Sequence, residues 1–308
     1  MFLCFIDLKA QQDPHFTHYM FNTLAVNPGY AGSRDALTIT GLYRNQWIGF
    51  KGAPSTQTLT AHAPILNDKI GVGLSLMNDR IGPTNNTSVF ADIAYRISLG
   101  QSKKARLSFG VKAGLNIMQV GLTPIGLRDD IDPEFSKRYL NKLLPNFGFG
   151  VYYYTQNFYV GASIPRILEN YYDGGLNGGN TDGLARQKRH YDFIMGAMLK
   201  LGKKVKLKPS MLIKLLEGGP PELDISALFY LMNDKFWIGP ALRTAWRSTD
   251  AVSSIVGVQV IDQLSIGYSF DYSISNTTFK YNSGSHEIML RYDFIYNNKT
   301  RIKSPRYF

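Results

Sequence analysis

"ARLSFGVKAGLNIM", residues 105–118, decides the fold. Ala105, Leu107, Phe109, Val111, Ala113, Leu115 and Ile117 form one apolar series. Arg106, Ser108, Gly110, Lys112, Gly114 and Asn116 stand between them, and only Met118 breaks the rule. A period of two puts successive side chains on opposite faces of a β-strand. Strands of globular domains run about 5–6 residues, whereas a strand tilted across a bilayer needs roughly 9–11. Taken alone, the segment fits a long strand of a soluble sandwich or barrel as well as a membrane-crossing strand.

Composition narrows the choice. The chain has 308 residues, 44% of them apolar, and no run of 18 apolar residues. A helical membrane protein is thereby excluded. Gly (29), Tyr (19) and Phe (18) are plentiful, which suits a transmembrane barrel whose lumen-facing residues dilute the apolar signal. Cys4 is the single cysteine, so there is neither a disulfide framework nor a Cys-based metal site. The net charge of +11 admits nucleic acid, an anionic lipid surface or an acidic protein as partner. The charges form no single basic arm. They sit in short turns (Lys103 and Lys104, Lys203 and Lys204) and in "RQKRH", residues 186–190. The N-terminus, "MFLCFIDLKAQQDPHF", reads as the remnant of a signal peptide over residues 1–10, ending at Ala10. Leu3 stands where a lipoprotein signal places a small residue, so Cys4 is not read as lipid-bearing. An exported chain is not expected to bind nucleic acid.

The alternation recurs at 70–76, 91–97, 264–272 and 286–294, and fourteen strands follow from it: 36–47, 55–63, 69–79, 85–99, 105–119, 144–155, 158–164, 189–201, 205–216, 222–231, 236–246, 251–260, 264–273 and 284–295. Links after even-numbered strands are short ("PILND", "GQSKK", "QN", "GKK", "MNDK", "IDQ") and carry the Gly, Asn and Asp of tight hairpins. Links after odd-numbered strands are generally longer, above all 120–143 and 165–188. Loop length sorted by parity is the layout of an outer-membrane barrel. Aromatic residues cluster at strand ends: Tyr152, Tyr153, Tyr154, Phe158, Tyr159, Phe229, Tyr230, Phe236 and Trp237 at one, Trp47 and Trp246 at the other. They read as interfacial girdles. The fold expected is all-β: a single antiparallel transmembrane β-barrel of about 14 strands over residues 36–295, with short periplasmic turns and longer extracellular loops. Residues 11–35 are expected to form an N-terminal periplasmic segment, and 296–308 a periplasmic tail. The apolar series then faces lipid, where a misplaced Arg106 or Lys112 costs about 2–4 kcal/mol near the midplane.

No catalytic motif is present: no GxSxG, HExxH or Walker loop. No enzymatic activity, metal or cofactor is expected. The acidic stretch "DDIDPE", 129–134, lacks the glycine of an EF-hand loop and reads as a solvated turn. Arg186, Lys188 and Arg189 are placed to touch lipopolysaccharide phosphates or to stay solvated. On the wet faces stand Asp92, Arg96, Lys112, Lys214, Asp224, Arg243, Asp271, Glu287 and Arg291. Paired, these lumen charges fill an interior; unpaired, they line a channel.

Two stretches resemble the PorP/SprF family of type IX secretion membrane proteins: "QQDPHFTHYMFNTLAVNPGYAGSRD", residues 11–35, and "GSHEIMLRYDFIYNNKTRIKSPRYF", residues 284–308. "NQWIGFKGAPSTQTLTAHAPI" and "IGVGLSLMNDRIGPTN" are similar to it as well. The resemblance implies a non-enzymatic outer-membrane barrel of the type IX secretion and gliding machinery. It also implies binding of a secreted surface protein through its C-terminal signal domain, or of periplasmic machinery subunits. Outer-membrane lipid and lipopolysaccharide are the other expected partners. Pro28, Gly29 and Gly32 suit a turn that feeds the first strand. In the tail, Lys303, Pro305, Arg306, Tyr307 and Phe308 are the candidate partner contacts, a basic segment with aromatic anchors, unless the tail lies on its own barrel mouth. The competing function is a passive porin or small hydrophobic-solute transporter, with the N-terminal stretch as a lumen plug.

Overall fold

The computed structural model is described over residues 14–100, 105–121, 139–170, 187–217, 219–245, 248–274 and 283–294. Its strands are β1 Leu37–Asn45, β2 Ser55–Ile65, β3 Ile70–Ile81, β4 Thr84–Leu99, β5 Ala105–Gly121, β6 Tyr139–Tyr154, β7 Phe158–Ile164, β8 His190–Ala197, β9 Leu199–Lys200, β10 Lys206–Leu216, β11 Glu222–Leu231, β12 Phe236–Ala245, β13 Ser248–Gln259, β14 Leu264–Ser273 and β15 Ser285–Phe294. Each ring strand pairs antiparallel with its neighbours in sequence, and β15 pairs with β1, so the sheet closes. Closure gives every ring strand a neighbour on both sides, as a sheet in hydrocarbon requires. Fourteen strands make the ring. β9 lies outside that count and pairs only with β10. Pro209, which has no N–H to give, stands in the break between the β8 and β9 pairings.

The barrel is oily outside and polar inside. On β5, Val111 is 50% exposed and the adjacent Lys112 only 3%, an order reversed from that of a soluble domain. The register follows from this. Ile93 faces Val111 and Tyr95 faces Phe109 on the lipid side, while Asp92 faces Lys112 on the lumen side. The last two close a 3.0 Å ion pair. A slip of one residue would turn each series to the wrong face.

The strand ends differ from the sequence expectation mainly at the outer rim. β6 starts at Tyr139 rather than 144, and β13 at Ser248 rather than 251. There the outward face turns polar: the Asn78 amide donates to Asn85 and Thr87, both at 2.9 Å, and that of Asn85 donates to Gln119 at 3.4 Å. This wall therefore stands above the hydrocarbon. The inner-rim links are 66–69, 100–104, 155–157, 201–205, 232–235 and 260–263; the outer-rim links include 122–138 and 165–189 but also the two-residue links 82–83 and 246–247. Two inner turns share one solution. Leu66, Asn67 and Asp68 have φ of 49°, 54° and 65°, and Met232, Asn233 and Asp234 have 52°, 58° and 70°. Asn and Asp tolerate this left-handed region better than most residues.

Candidate functional site: a plugged lumen

Residues 14–35 lie inside the barrel, not beneath it. This corrects the expectation of a periplasmic N-terminal segment. The segment carries a single helical turn, α1 Thr23–Val26, and a 3-10 turn, Pro28–Tyr30. Such short pieces have little stability of their own; the wall holds them. The reason it sits inside is a row of polar handles met by polar partners. The Thr17 and His18 amides donate to the Glu287 carboxylate at 3.0 and 2.7 Å, and the Thr17 hydroxyl donates to Asp271 at 2.9 Å. Asn22 exchanges hydrogen bonds with Thr58 (3.1 Å) and Thr60 (2.8 Å). Lys112 Nζ donates to the Leu24 carbonyl at 3.2 Å, and Ser163 Oγ to that of Val26 at 2.9 Å. The Asn27 amide donates to the Val151 carbonyl at 3.0 Å while its oxygen accepts from Gly29 N at 2.8 Å. His62 Nδ1 accepts from Gly32 N at 3.1 Å.

Glycines on the wet face of the wall form the seat. A Cβ on Gly71 would stand 2.0 Å from the Ala31 carbonyl oxygen, one on Gly110 2.3 Å from Gly29 N, and one on Gly150 2.2 Å from Asn27 Oδ1. Three strands thus lack side chains where residues 27–32 pass. Gly32 itself, at φ 72°, turns the chain toward β1.

The charges pair. Arg44 reaches Asp271 at 2.6 Å and Glu287 at 3.2 Å; Arg243 reaches Asp224 at 2.8 Å and Asp271 at 3.7 Å; Arg291 lies 3.7 Å from Asp293. Plug charges join them: Arg34 with Asp293 at 3.0 Å, and Asp35 with both Arg96 and Arg106 at 3.0 Å. Lys214 Nζ donates to the Pro14 carbonyl at 3.4 Å. His15 sits 3.2 Å from Glu222. Burial, then Lys214, Arg243, Arg44 and His190, hold His15 well below the ordinary imidazole value. Arg96, Lys112, Asp224, Arg243, Asp271 and Glu287 are all buried, and Arg291 is half-buried.

The aromatic girdle reading splits by the same alternation. Phe158 and Phe229 are exposed, but Tyr152, Tyr154, Tyr159, Tyr230 and Trp237 are buried inside. They clasp the plug. Tyr30 sets its ring edge-on to His62 at 5.0 Å and to Tyr152 at 5.4 Å. Phe21 lies 5.5 Å from Trp237 and takes Lys208 Nζ at 5.0 Å and the Arg291 guanidinium at 5.3 Å. The wall glycines and Asn27 are the residues that sequence reading missed; the signal was there, glycines recurring in the polar series of neighbouring strands.

Arg189 donates to the Ile167 carbonyl at 2.9 Å and lies 3.6 Å from Glu169, within its own link. Among the described residues there is no metal-ligand cluster. The 129–134 stretch, Arg186, Trp246, the signal remnant 1–10 and the tail with Lys303, Pro305, Arg306, Tyr307 and Phe308 lie outside the described residues.

A closed ring with a lipid-facing apolar belt and an occupied polar interior defines an outer-membrane β-barrel with an internal plug. The chain belongs to the PorP/SprF family of type IX secretion system membrane proteins, whose model matches residues 8–292. No curated protein matches it. Similar solved structures include the outer membrane protein Omp33 of Acinetobacter baumannii (9% identity, TM-score 0.48, 86% of this chain and 100% of that one). A FadL homologue of Pseudomonas aeruginosa is similar at 14% identity and TM-score 0.48, over 92% and 95% of the two chains. The CymD monoaromatic hydrocarbon channel is similar at 8% identity and TM-score 0.49, over 91% and 93%.

Proposed function

We propose that this barrel serves type IX secretion by binding protein, either the C-terminal signal domain of a secreted surface protein or a periplasmic subunit of the machinery, and not by conducting solute. The observation that carries the reading is the filled lumen. Residues 14–35 meet wall carboxylates, hydroxyls and carbonyls along their length, and the lumen charges pair with one another. An interior so neutralised favours a rigid body whose work is done at its rims. The tail contacts expected from sequence, Lys303 to Phe308, belong to the same proposal, as an inner-rim anchor for a partner. The reading is of a non-enzymatic protein that uses no cofactor. Extraction in mild detergent followed by affinity capture tests the reading. A type IX component or a C-terminal signal domain should be recovered with the full chain and lost when residues 296–308 are removed. Recovery of neither, from membranes in which the secretion complex stays intact, would overturn it.

A further inference from the structure

The inner rim carries a pattern that neither the plug nor the family assignment explains. Three of its tight turns present a large, bare apolar residue followed within three positions by lysine. Leu66 (66% exposed) precedes Lys69; Leu201 (58%) precedes Lys203 and Lys204; Met232 (74%) precedes Lys235. All four lysines are exposed. Among the described residues, none of the four forms an ion pair. The acids of these turns are already engaged: Asp234 holds Lys206 at 2.5 Å, and Asp68 lies 3.5 Å from Arg106.

Position says what such a rim meets. Ile65 and Leu199, at the ends of their strands, face outward and are exposed, so the lipid-facing belt runs up to the turns at 66–69 and 201–205. Three residues of extended chain span at most about 10 Å. Turns this tight cannot carry their lysines beyond the headgroup layer of the leaflet that bathes the belt. An apolar tip at the acyl boundary and an ammonium one headgroup higher is the arrangement that long cationic side chains adopt at membrane interfaces. The density is uneven. Links 201–205 and 232–235 are neighbours in the ring, because β10 and β11 pair between them. Lys203, Lys204 and Lys235 therefore concentrate on one sector.

We propose that the inner rim is a binding surface for the phosphate headgroups of anionic phospholipid in the periplasmic leaflet, strongest over the sector of links 201–205 and 232–235. An acidic periplasmic protein would need a surface that stands clear of the bilayer, and these turns do not. The surface fixes how deep the barrel sits and gathers negatively charged lipid on one side of it.

The test is the association of spin-labelled lipids with the reconstituted full chain in vesicles of equal parts phosphatidylethanolamine and phosphatidylglycerol. Labelled phosphatidylglycerol should be preferred over labelled phosphatidylethanolamine, and the preference should fall as salt rises. The quadruple variant Lys69→Gln, Lys203→Gln, Lys204→Gln, Lys235→Gln should lose at least about tenfold in relative association constant, while the four-arginine counterpart keeps it. Among the described residues these side chains have no ion-pair partner, so heat-modifiable mobility on gels should be unchanged. Equal association of the two lipids with the unaltered chain would overturn the proposal. So would a preference that survives the glutamine substitutions, or an acidic protein that binds this rim while lipid preference is absent.

Discussion

Gly71 and Gly110 show how much of this molecule turns on missing side chains. Each stands where a Cβ would meet plug backbone, at 2.0 and 2.3 Å, and backbone cannot swing aside as a side-chain tip can. Gly110→Val should therefore unseat residues 27–32 while leaving the strand pairing of β5 intact. Ala31, fully buried in the native barrel, makes the reporter. Ala31→Cys should resist a soluble maleimide in the native background and react in the Gly110→Val background; equal protection in both would contradict the seat. Arg44 is the complementary case. It neutralises Asp271 and Glu287 at once. Arg44→Met leaves two buried carboxylates short of a partner, which costs about 3–5 kcal/mol. The urea midpoint for loss of the heat-modifiable folded band should fall accordingly. On the lipid side, Val111→Arg should cost about 2–4 kcal/mol, whereas Val111→Leu should be neutral.

Strands and plug were unequally legible in the sequence. The period of two is written by the outward face, where every strand meets the same hydrocarbon, so strand positions could be read to within a few residues. It also determined the aromatic split: in "YYY", 152–154, the middle ring alone shares parity with the lipid-facing Val151 and Phe149, and the outer two turn inward. Residues 14–35 carry no period because they obey no repeating environment. Their conformation comes from Asn27, Thr17 and His18 each finding a particular wall group, which composition does not reveal. The wall betrayed them only through glycines in the polar series. This element also has a pH dependence. His15 is held neutral in the seated plug by burial and by the charges of Lys214, Arg243, Arg44 and His190, with Glu222 3.2 Å away. A displaced His15 titrates near 6.5 and takes up a proton that the seated one refuses. Seating is thus fully favoured above that value and weakens as pH falls below it. Labelling of Ala31→Cys, taken relative to a fully exposed cysteine at the same pH because only the thiolate reacts, should be faster at about pH 5 than at about pH 8, and His15→Gln should reduce the difference.

As a whole, the molecule is a cylinder whose two surfaces have exchanged the usual roles. Apolar side chains lie outside without a protein partner, and arginine, aspartate and glutamate pack inside with the chain's own N-terminal segment. That inversion places it in the outer membrane, and the occupied lumen separates it in kind from an open pore of the same architecture. The most direct measurement is single-channel recording in planar bilayers of the native chain beside the Gly71→Val, Gly110→Val double variant. The native barrel should be electrically silent, and the variant should show stable conductance as residues 27–32 lose their seat. A native barrel that conducts steadily, with the variant no different from it, would contradict the plugged lumen.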